Sequence, residues 1–282
     1  MSDVCVSWIL PVYNAESYVG KTIESILSQD FQDWELIIIN DGSKDNSDAV
    51  INKYTDARIL YISRENKGLA ATLNQGIALS KGEYIARIDA DDLCHPQRLT
   101  KQIRFMETHK DVVLVGCNVR YIDHNGNVLG YSSSCIGSNN IREKLKQDNC
   151  IFHPSVLIRK NALVKVGCYD ERIGCYWEDY ALWILLLEEG KFYILSEHLL
   201  DYRIHMSSIS SRTPKLVQNY MREFSLQKSI SDASIVKFHN EIQLYKKNNV
   251  TRNKVSISQP RRIIKSRILA KVIMLVRRVI GK

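Results

Sequence analysis

Val4–Val12 is a nearly unbroken apolar run of strand length, and Trp34–Asn40 (WELIIIN) is a second. Short apolar runs bounded by polar turns read as buried strands. Arg58–Ile62, Tyr84–Asp89 and Val112–Cys117 continue the series. Between the runs the period changes. Over Ala15–Asp30, Val19, Ile23, Ile26 and Leu27 fall on one helical face. Further helices are predicted around Ser47–Tyr54, over Gly68–Leu79 and over Pro96–His109, the last opened by a proline in its first turn. Strands alternating with helices of this length predict an α/β fold, a mostly parallel sheet covered on both faces.

Past residue 117 the alternation is less regular. His124–Asn127 reads as a hairpin turn, Asn139–Gln147 as a helix and His153–Ile158 as a strand. Glu178–Glu189 reads as a helix, followed by strands near Lys191–Leu195 and Leu199–Ile204. Residues after Pro214 look helical, with a polar stretch at Lys246–Gln259.

In a parallel sheet, ligands bind beyond the carboxyl ends of the strands. Those ends are polar here. Tyr13-Asn14 follows the first strand, Asp41 the second, Arg64–Asn66 the third and Asp89–Asp92 the fourth. Asp89-Ala90-Asp91-Asp92 places three mutually repelling carboxylates at one strand end, an arrangement suited to Mg²⁺ or Mn²⁺. The same acids would also suit a solvated turn before a helix. Asp41, in Asn40-Asp41-Gly42-Ser43, can accept hydrogen bonds from a base or ribose, or simply form an Asp-Gly turn. Pro11-Val12-Tyr13-Asn14-Ala15-Glu16 leaves the first strand, where Asn14 could equally cap the helix. Asn66-Lys67-Gly68 offers phosphates a positive charge and a close backbone approach, though a plain loop reads the same way. Glu178-Asp179, on residues alone, are acids at a helix N-terminus, and His153 is a histidine at a strand start.

The ordered set of segments PVYNAE (11–16), NDGSKDNS (40–47), ENKGLAATLNQGI (65–77), GEYIARIDADD (82–92), HPQRL (95–99), HPSVLIRK (153–160), WEDYALW (177–183) and YRIHMSSIS (202–210) resembles the inverting family-2 glycosyltransferases of GT-A fold. The resemblance covers about residues 4–210. It implies a GT-A-type sheet flanked by helices with a C-terminal helical extension, a UDP-sugar donor and a Mn²⁺ or Mg²⁺ ion. Carried over by position, Pro11, Tyr13, Asn14 and Glu16 would line the base pocket. Asp41 would meet uracil or ribose, and Asn66, Lys67, Gly68, Arg87, Asp89 and Ala90 would complete the donor site. Asp91 would be the main metal ligand, with Asp89 beside it. Arg203 and His205 would belong to a segment closing over the diphosphate, His205 reaching the metal. Asp179 would be the catalytic base, and His153, Trp177 and Glu178 would face the acceptor. Residues 1–212 would form the transferase domain, about 1–117 its nucleotide-sugar half and about 118–212 its acceptor half, leaving 213–282 as the extension.

Charge adds a feature the motifs do not. The net charge is +8, yet twelve Lys or Arg and no acid follow Glu241, so the body is mildly acidic and the tail carries the excess. From Ile264 onward, Ile268, Leu269, Val272, Leu275, Val276 and Val279 occupy one half of a helix, and Arg267, Lys271, Arg277, Arg278 and Lys282 mainly the other. This predicts an amphipathic helix over about 260–282 lying on an anionic membrane, though a helix packed on the core would use the same apolar face. Nucleic acid is not expected as a partner, because no aromatic residue follows Tyr245 to stack bases. The seven cysteines are odd in number and form no Cys-x-x-Cys pair, against a disulfide framework. With no basic leader at the start and no long apolar run, the chain reads as cytoplasmic and peripheral on the inner face of the membrane. A membrane-borne acceptor follows by analogy: a lipid-diphosphate-linked saccharide of bacterial surface polysaccharide such as O-antigen. A nucleotidyltransferase would share nucleotide and Mg²⁺ but lacks its glycine-rich triphosphate loop here. An inactive membrane-bound nucleotide-sugar-binding protein is the other alternative. A dinucleotide oxidoreductase would need a Gly-x-Gly-x-x-Gly after a strand, and none occurs.

Overall fold

The computed structural model describes residues 4–133, 138–146, 148–174, 176–204, 227–229 and 231–253, with Val217, Tyr220, Met221 and Phe224. His205, the tail over 260–282 and two cysteines, Cys135 and Cys175, lie outside the described residues.

Four parallel strands form the first half of the sheet. β1 (Val6–Val12) lies between β2 (Trp34–Asp41) and β4 (Tyr84–Arg87), and β3 (Ile59–Arg64) flanks β2. Crossover helices α1 (Val19–Leu27), α2 (Ser47–Ile51) and α3 (Leu69–Leu79) connect them. All of β1 and β2 is buried, which is why they read as continuous apolar runs rather than alternating ones. Period two still sorts their side chains. Trp8 and Leu10 pack on one face of the sheet with Ile23, Ile26 and Met106, while Ile9 joins Leu73, Ile77 and Trp183 on the other.

Beyond β4 the directions mix. A short strand, β5 (Leu93–Cys94), leads into α4 (Arg98–Thr108), and β6 (Val112–Ile122) turns back as a hairpin into β7 (Val128–Tyr131). The expected turn at 124–127 is this hairpin. After α5 (Ser138–Leu145), β8 (Leu157–Arg159) joins the sheet antiparallel to both β4 and β6. Next come α6 (Lys160–Lys165), which the sequence reading did not anticipate, and α7 (Glu178–Leu186). β9 (Lys191–Arg203) then runs parallel to β6 and antiparallel to β5. It is one strand where two were expected, because shifts in register against Cys117–Val119 carry it through the polar residues 196–198. The division expected near residue 117 falls inside β6, so the two halves share one sheet.

Two expected elements are corrected. The helix after β1 begins at Val19, not Ala15, because Asn14 has a φ of 50° and residues 15–18 form a turn. The strand expected from His153 is a 3-10 turn over His153–Ser155, with β8 starting at Leu157. Pro154 has no N–H to give a ladder, and Ser155 N instead donates to Phe152 O.

Helical residues of the C-terminal part, including α8 (Asp232–Asn253), bury Phe224 and Phe238 against Trp177. Among the described residues no helix is long and apolar enough to cross a membrane.

Candidate active site

Hydrogen bonds lace together three of the polar strand exits, those of β1, β2 and β3. Asn14 N donates to Ser43 Oγ (2.9 Å), and Lys44 N donates to Asn14 Oδ1 (2.7 Å). Glu16 N donates to Asp45 Oδ2 (3.0 Å) and Asn46 N to Glu16 Oε2 (2.7 Å). Asn14 therefore ties the β1 exit to the β2 exit rather than capping α1. Pro11 is buried below them and Tyr13 is 54% exposed above.

Asp41 is buried at the end of β2. Its carboxylate accepts from Lys67 N (2.8 Å) and Gly68 N (2.9 Å), and Arg64 Nη1 lies 2.7 Å from Oδ1. Asn66 Nδ2 donates to Asp41 O (2.8 Å). Asp41 thus fixes the backbone that enters α3 and leaves Lys67 exposed at the rim. Gly42 makes the turn possible: its φ is +75°, and a Cβ there would lie 2.7 Å from Asn66 N.

Donor atoms of Asp89, Asp91 and Asp92 all lie within 4.8 Å of one another at the end of β4. Thr22 Oγ1 holds the turn from below by donating to Ala90 O and Asp92 O (2.9 Å each). Arg87 clasps Asp89 with two hydrogen bonds (2.7 and 2.5 Å). Asp92 Oδ2 is buried without a hydrogen-bond partner, and burial, then the charges of Asp91 and Asp89, push its pKa well above the carboxylate range. An all-oxygen set with an orphaned buried oxygen fits a hard divalent cation.

Arg203 stands differently from the expectation. It is buried, its guanidinium donates to the carbonyls of Asp91 (2.7 Å), Asp123 (2.7 Å) and His124 (3.3 Å), and its N–H donates to Asp92 Oδ1 (2.8 Å). It also lies over the Tyr18 ring, 4.7 Å from the centroid. Arg203 holds the acidic turn in place rather than reaching outward.

On the opposite side, α7 begins with Glu178 and Asp179. Asp179 is half-buried. Tyr180 N donates to its Oδ1 and Asn149 Nδ2 to its Oδ2 (2.7 Å each). His153 is buried, with Nε2 2.7 Å from the Tyr169 hydroxyl and Nδ1 3.9 Å from Glu178 Oε1. Burial, with the nearby Arg87 charge, drives the His153 pKa well below the usual histidine range. Burial, then the Asp179 charge, raises Glu178 to about 8. Both shifts favour the uncharged forms of the pair. Trp177 is corrected: it is 1% exposed and packs on Phe224 and Phe238 in the core, so it cannot touch an acceptor.

Glu178 has a measurable consequence. Its folded pKa, about 8, exceeds the ordinary 4.5, so the folded state holds a proton the unfolded state has released. Stability from this group is full below the ordinary value and is lost as pH rises toward 8. Thermal scans should show that Glu178→Gln loses less Tm than the unaltered protein between pH 5 and pH 8. An identical pH slope would refute the assignment.

Sequence reasoning missed Thr22, Asn149 and Tyr169. Each acts through one side-chain atom, and no spacing rule marks such residues.

The pattern of glycosyl transferase family 2 matches residues 7–169. An uncharacterised glycosyltransferase of Methanocaldococcus jannaschii is 35% identical over 211 residues, 72% of each chain. The O-antigen biosynthesis glycosyltransferase WbnJ of Escherichia coli is 33% identical over 83% of this chain and 92% of its own. Among solved structures, Staphylococcus aureus TarS superposes with a TM-score of 0.63 at 19% identity, over 82% of this chain and 41% of that one. Its 1–349 fragment in complex with UDP-GlcNAc superposes at 0.65 and 17% identity, over 90% and 76%. The fold is that of the GT-A enzymes, and by sequence the chain belongs to glycosyl transferase family 2.

Proposed function

We propose that the protein is a metal-dependent inverting hexosyltransferase. It moves glucose, galactose or an N-acetylhexosamine from a UDP-sugar to a lipid-linked saccharide in bacterial surface polysaccharide assembly. One observation carries the reading: Arg87 clasps Asp89 of the acidic turn and donates its N–H to Val156 O, next to the His153 turn, while His153 lies 3.9 Å from Glu178, the neighbour of Asp179. A cluster suited to a diphosphate-bound cation and a carboxylate suited to deprotonating a hydroxyl are thus carried on neighbouring segments, which supports a reaction that inverts a sugar carbon. The UDP and UDP-GlcNAc complexes of TarS support UDP as the carrier, and the O-antigen role in WbnJ's name supports the class of acceptor.

Tyr13, Glu16 and Asp41 form the base and ribose side, about residues 1–117. Asp179 takes the acceptor proton, with His153 and Glu178 beside it in about residues 118–212. Asp89 and Asp91 would hold Mn²⁺ or Mg²⁺, with His205 a further candidate ligand. When bound, the ion neutralises charge on the departing diphosphate. Arg203 acts on that site by holding the turn.

The test is release of nucleoside diphosphate from UDP-, GDP- and dTDP-sugars with Mn²⁺, with and without lipid-diphosphate-linked saccharide. Selective release from one UDP-sugar is expected. Release from none would favour a binding protein without turnover.

The basic extension, residues 213–282, brings the site to an anionic inner membrane surface through about residues 260–282. Deleting 260–282 should abolish sedimentation with anionic vesicles and leave turnover of soluble donor within about threefold. Continued sedimentation would place the contact elsewhere.

A further inference from the structure

Arg98, in the segment HPQRL, has no part in the function argued above. It is fully buried, and among the described residues no carboxylate pairs with it. Its donors go to neutral acceptors: Nη2 to Arg87 O (2.9 Å) and Val156 O (3.1 Å), Nη1 to Cys94 Sγ (3.5 Å), and Nε to Gln102 Oε1 (3.2 Å). The guanidinium lies 4.8 Å from the centroid of the Trp8 ring. One turn along α4, Gln102 Nε2 donates to Ser155 O (2.8 Å) and Val115 O (3.2 Å).

An apolar side chain would fill this space without desolvating a charge, so packing alone does not account for an arginine. The carbonyls it holds are informative. Arg87 O lies two residues before Asp89, at the root of the acidic turn. Val156 O and Ser155 O close the turn that carries His153. One buried side chain therefore grips the backbone of both sides of the site, and Gln102 braces the second. Arg87 N also donates to Val156 O (3.2 Å), so three hydrogen bonds fasten the roots of the two turns.

We propose that Arg98, braced by Gln102, is a positioning residue that sets the distance between the acidic turn and the acceptor-side turn. The inference rests on the reading of those turns as donor and acceptor sides. Lysine would keep the charge, but a compact ammonium cannot reproduce the planar group in which Nη2 reaches both carbonyls while Nη1 and Nε are anchored on Cys94 and Gln102. The donor side keeps its own supports, Thr22, Arg203 and Asp41. Loss of Arg98 should therefore leave nucleotide affinity and reduce turnover.

The experiment compares Arg98→Lys with the unaltered full chain. It reads the Kd for UDP with Mn²⁺ by calorimetry, and the kcat for UDP release from the UDP-sugar found above. Expected are a Kd within threefold and a kcat at least tenfold lower. A kcat within threefold, or a Kd weakened by the same factor as kcat, would overturn the proposal. Gln102→Met removes the brace without touching a charge, and it answers the same two questions if Arg98→Lys does not fold. The outcomes separate the two readings. If the unaltered protein releases no UDP from any donor, the hexosyltransferase reading has failed. If it is active and the folded variants behave like it, only the role of Arg98 has failed.

Discussion

Asp91→Ala should lower UDP-sugar turnover by about 10³-fold, a barrier increase of about 4 kcal/mol, and should abolish the response to added Mn²⁺. The size of the effect follows from the neighbourhood. Asp89 is already clasped by Arg87, and one oxygen of Asp92 is already taken by Arg203 N–H. Asp91 is the middle carboxylate of a trio whose ligand atoms lie within 4.8 Å of one another, and its loss removes one of the three oxygen donors the turn offers an ion. Thr22 holds Ala90 O and Asp92 O, and Arg203 holds Asp91 O, all through the backbone. Truncating the Asp91 side chain should therefore leave the turn folded and Tm nearly unchanged. The check is a Mn²⁺ titration of turnover for both proteins. Full activity with an unchanged metal response would remove Asp91 from the metal site. Asp89→Ala is a poorer probe, because it would also leave Arg87 buried without its carboxylate.

Much of this site was legible because its parts sit where chain direction and polarity coincide. β1 and β2 are apolar except for the paired Ser7 and Glu35 and then turn abruptly polar, so Asn14, Asp41 and the Asp89–Asp92 turn announce themselves as strand exits. The acceptor side gave weaker signals. His153 was expected in a strand, but Pro154 breaks the ladder and makes a turn, and the turn is what lets Arg98 and Gln102 reach the carbonyls of Val156 and Ser155. Trp177 looked like a site residue because it adjoins Glu178 and Asp179 in sequence. On a helix N-terminus neighbouring side chains point in different directions, and this one enters the core. Asn149 could not be found at all: it lies 30 positions from Asp179 in sequence, and only the folding of α5 toward α7 brings them together. Arg203 was recognised, but its direction was not, since whether an arginine reaches ligand or scaffold depends on which carbonyls surround it.

Asp179→Asn should keep UDP affinity within about threefold and reduce transfer by about 10³-fold, within the range expected for loss of a general base. The amide is isosteric and can still accept from Tyr180 N, so the start of α7 should survive. It cannot take a proton from an acceptor hydroxyl. The surroundings of the carboxylate suit a base for a physical reason. Burial raises its pKa above the ordinary aspartate range, while donation from Tyr180 N and Asn149 Nδ2, with the Arg87 charge, opposes that rise. A base must be ionised to act, so the acid limb of kcat/KM should lie above the pH at which a solvated aspartate titrates. Asn149→Ala withdraws one of the opposing donors, so the limb should move to still higher pH. A change that merely loosened the fold would lower the plateau and leave the limb in place. Measuring kcat/KM from pH 4 to pH 9 for the three proteins separates the cases. If Asp179→Asn loses UDP affinity together with transfer, Asp179 supports the donor pocket instead. If Asn149→Ala leaves the limb unmoved while the unaltered protein shows one, the hydrogen bond between these two side chains does not govern the proton transfer.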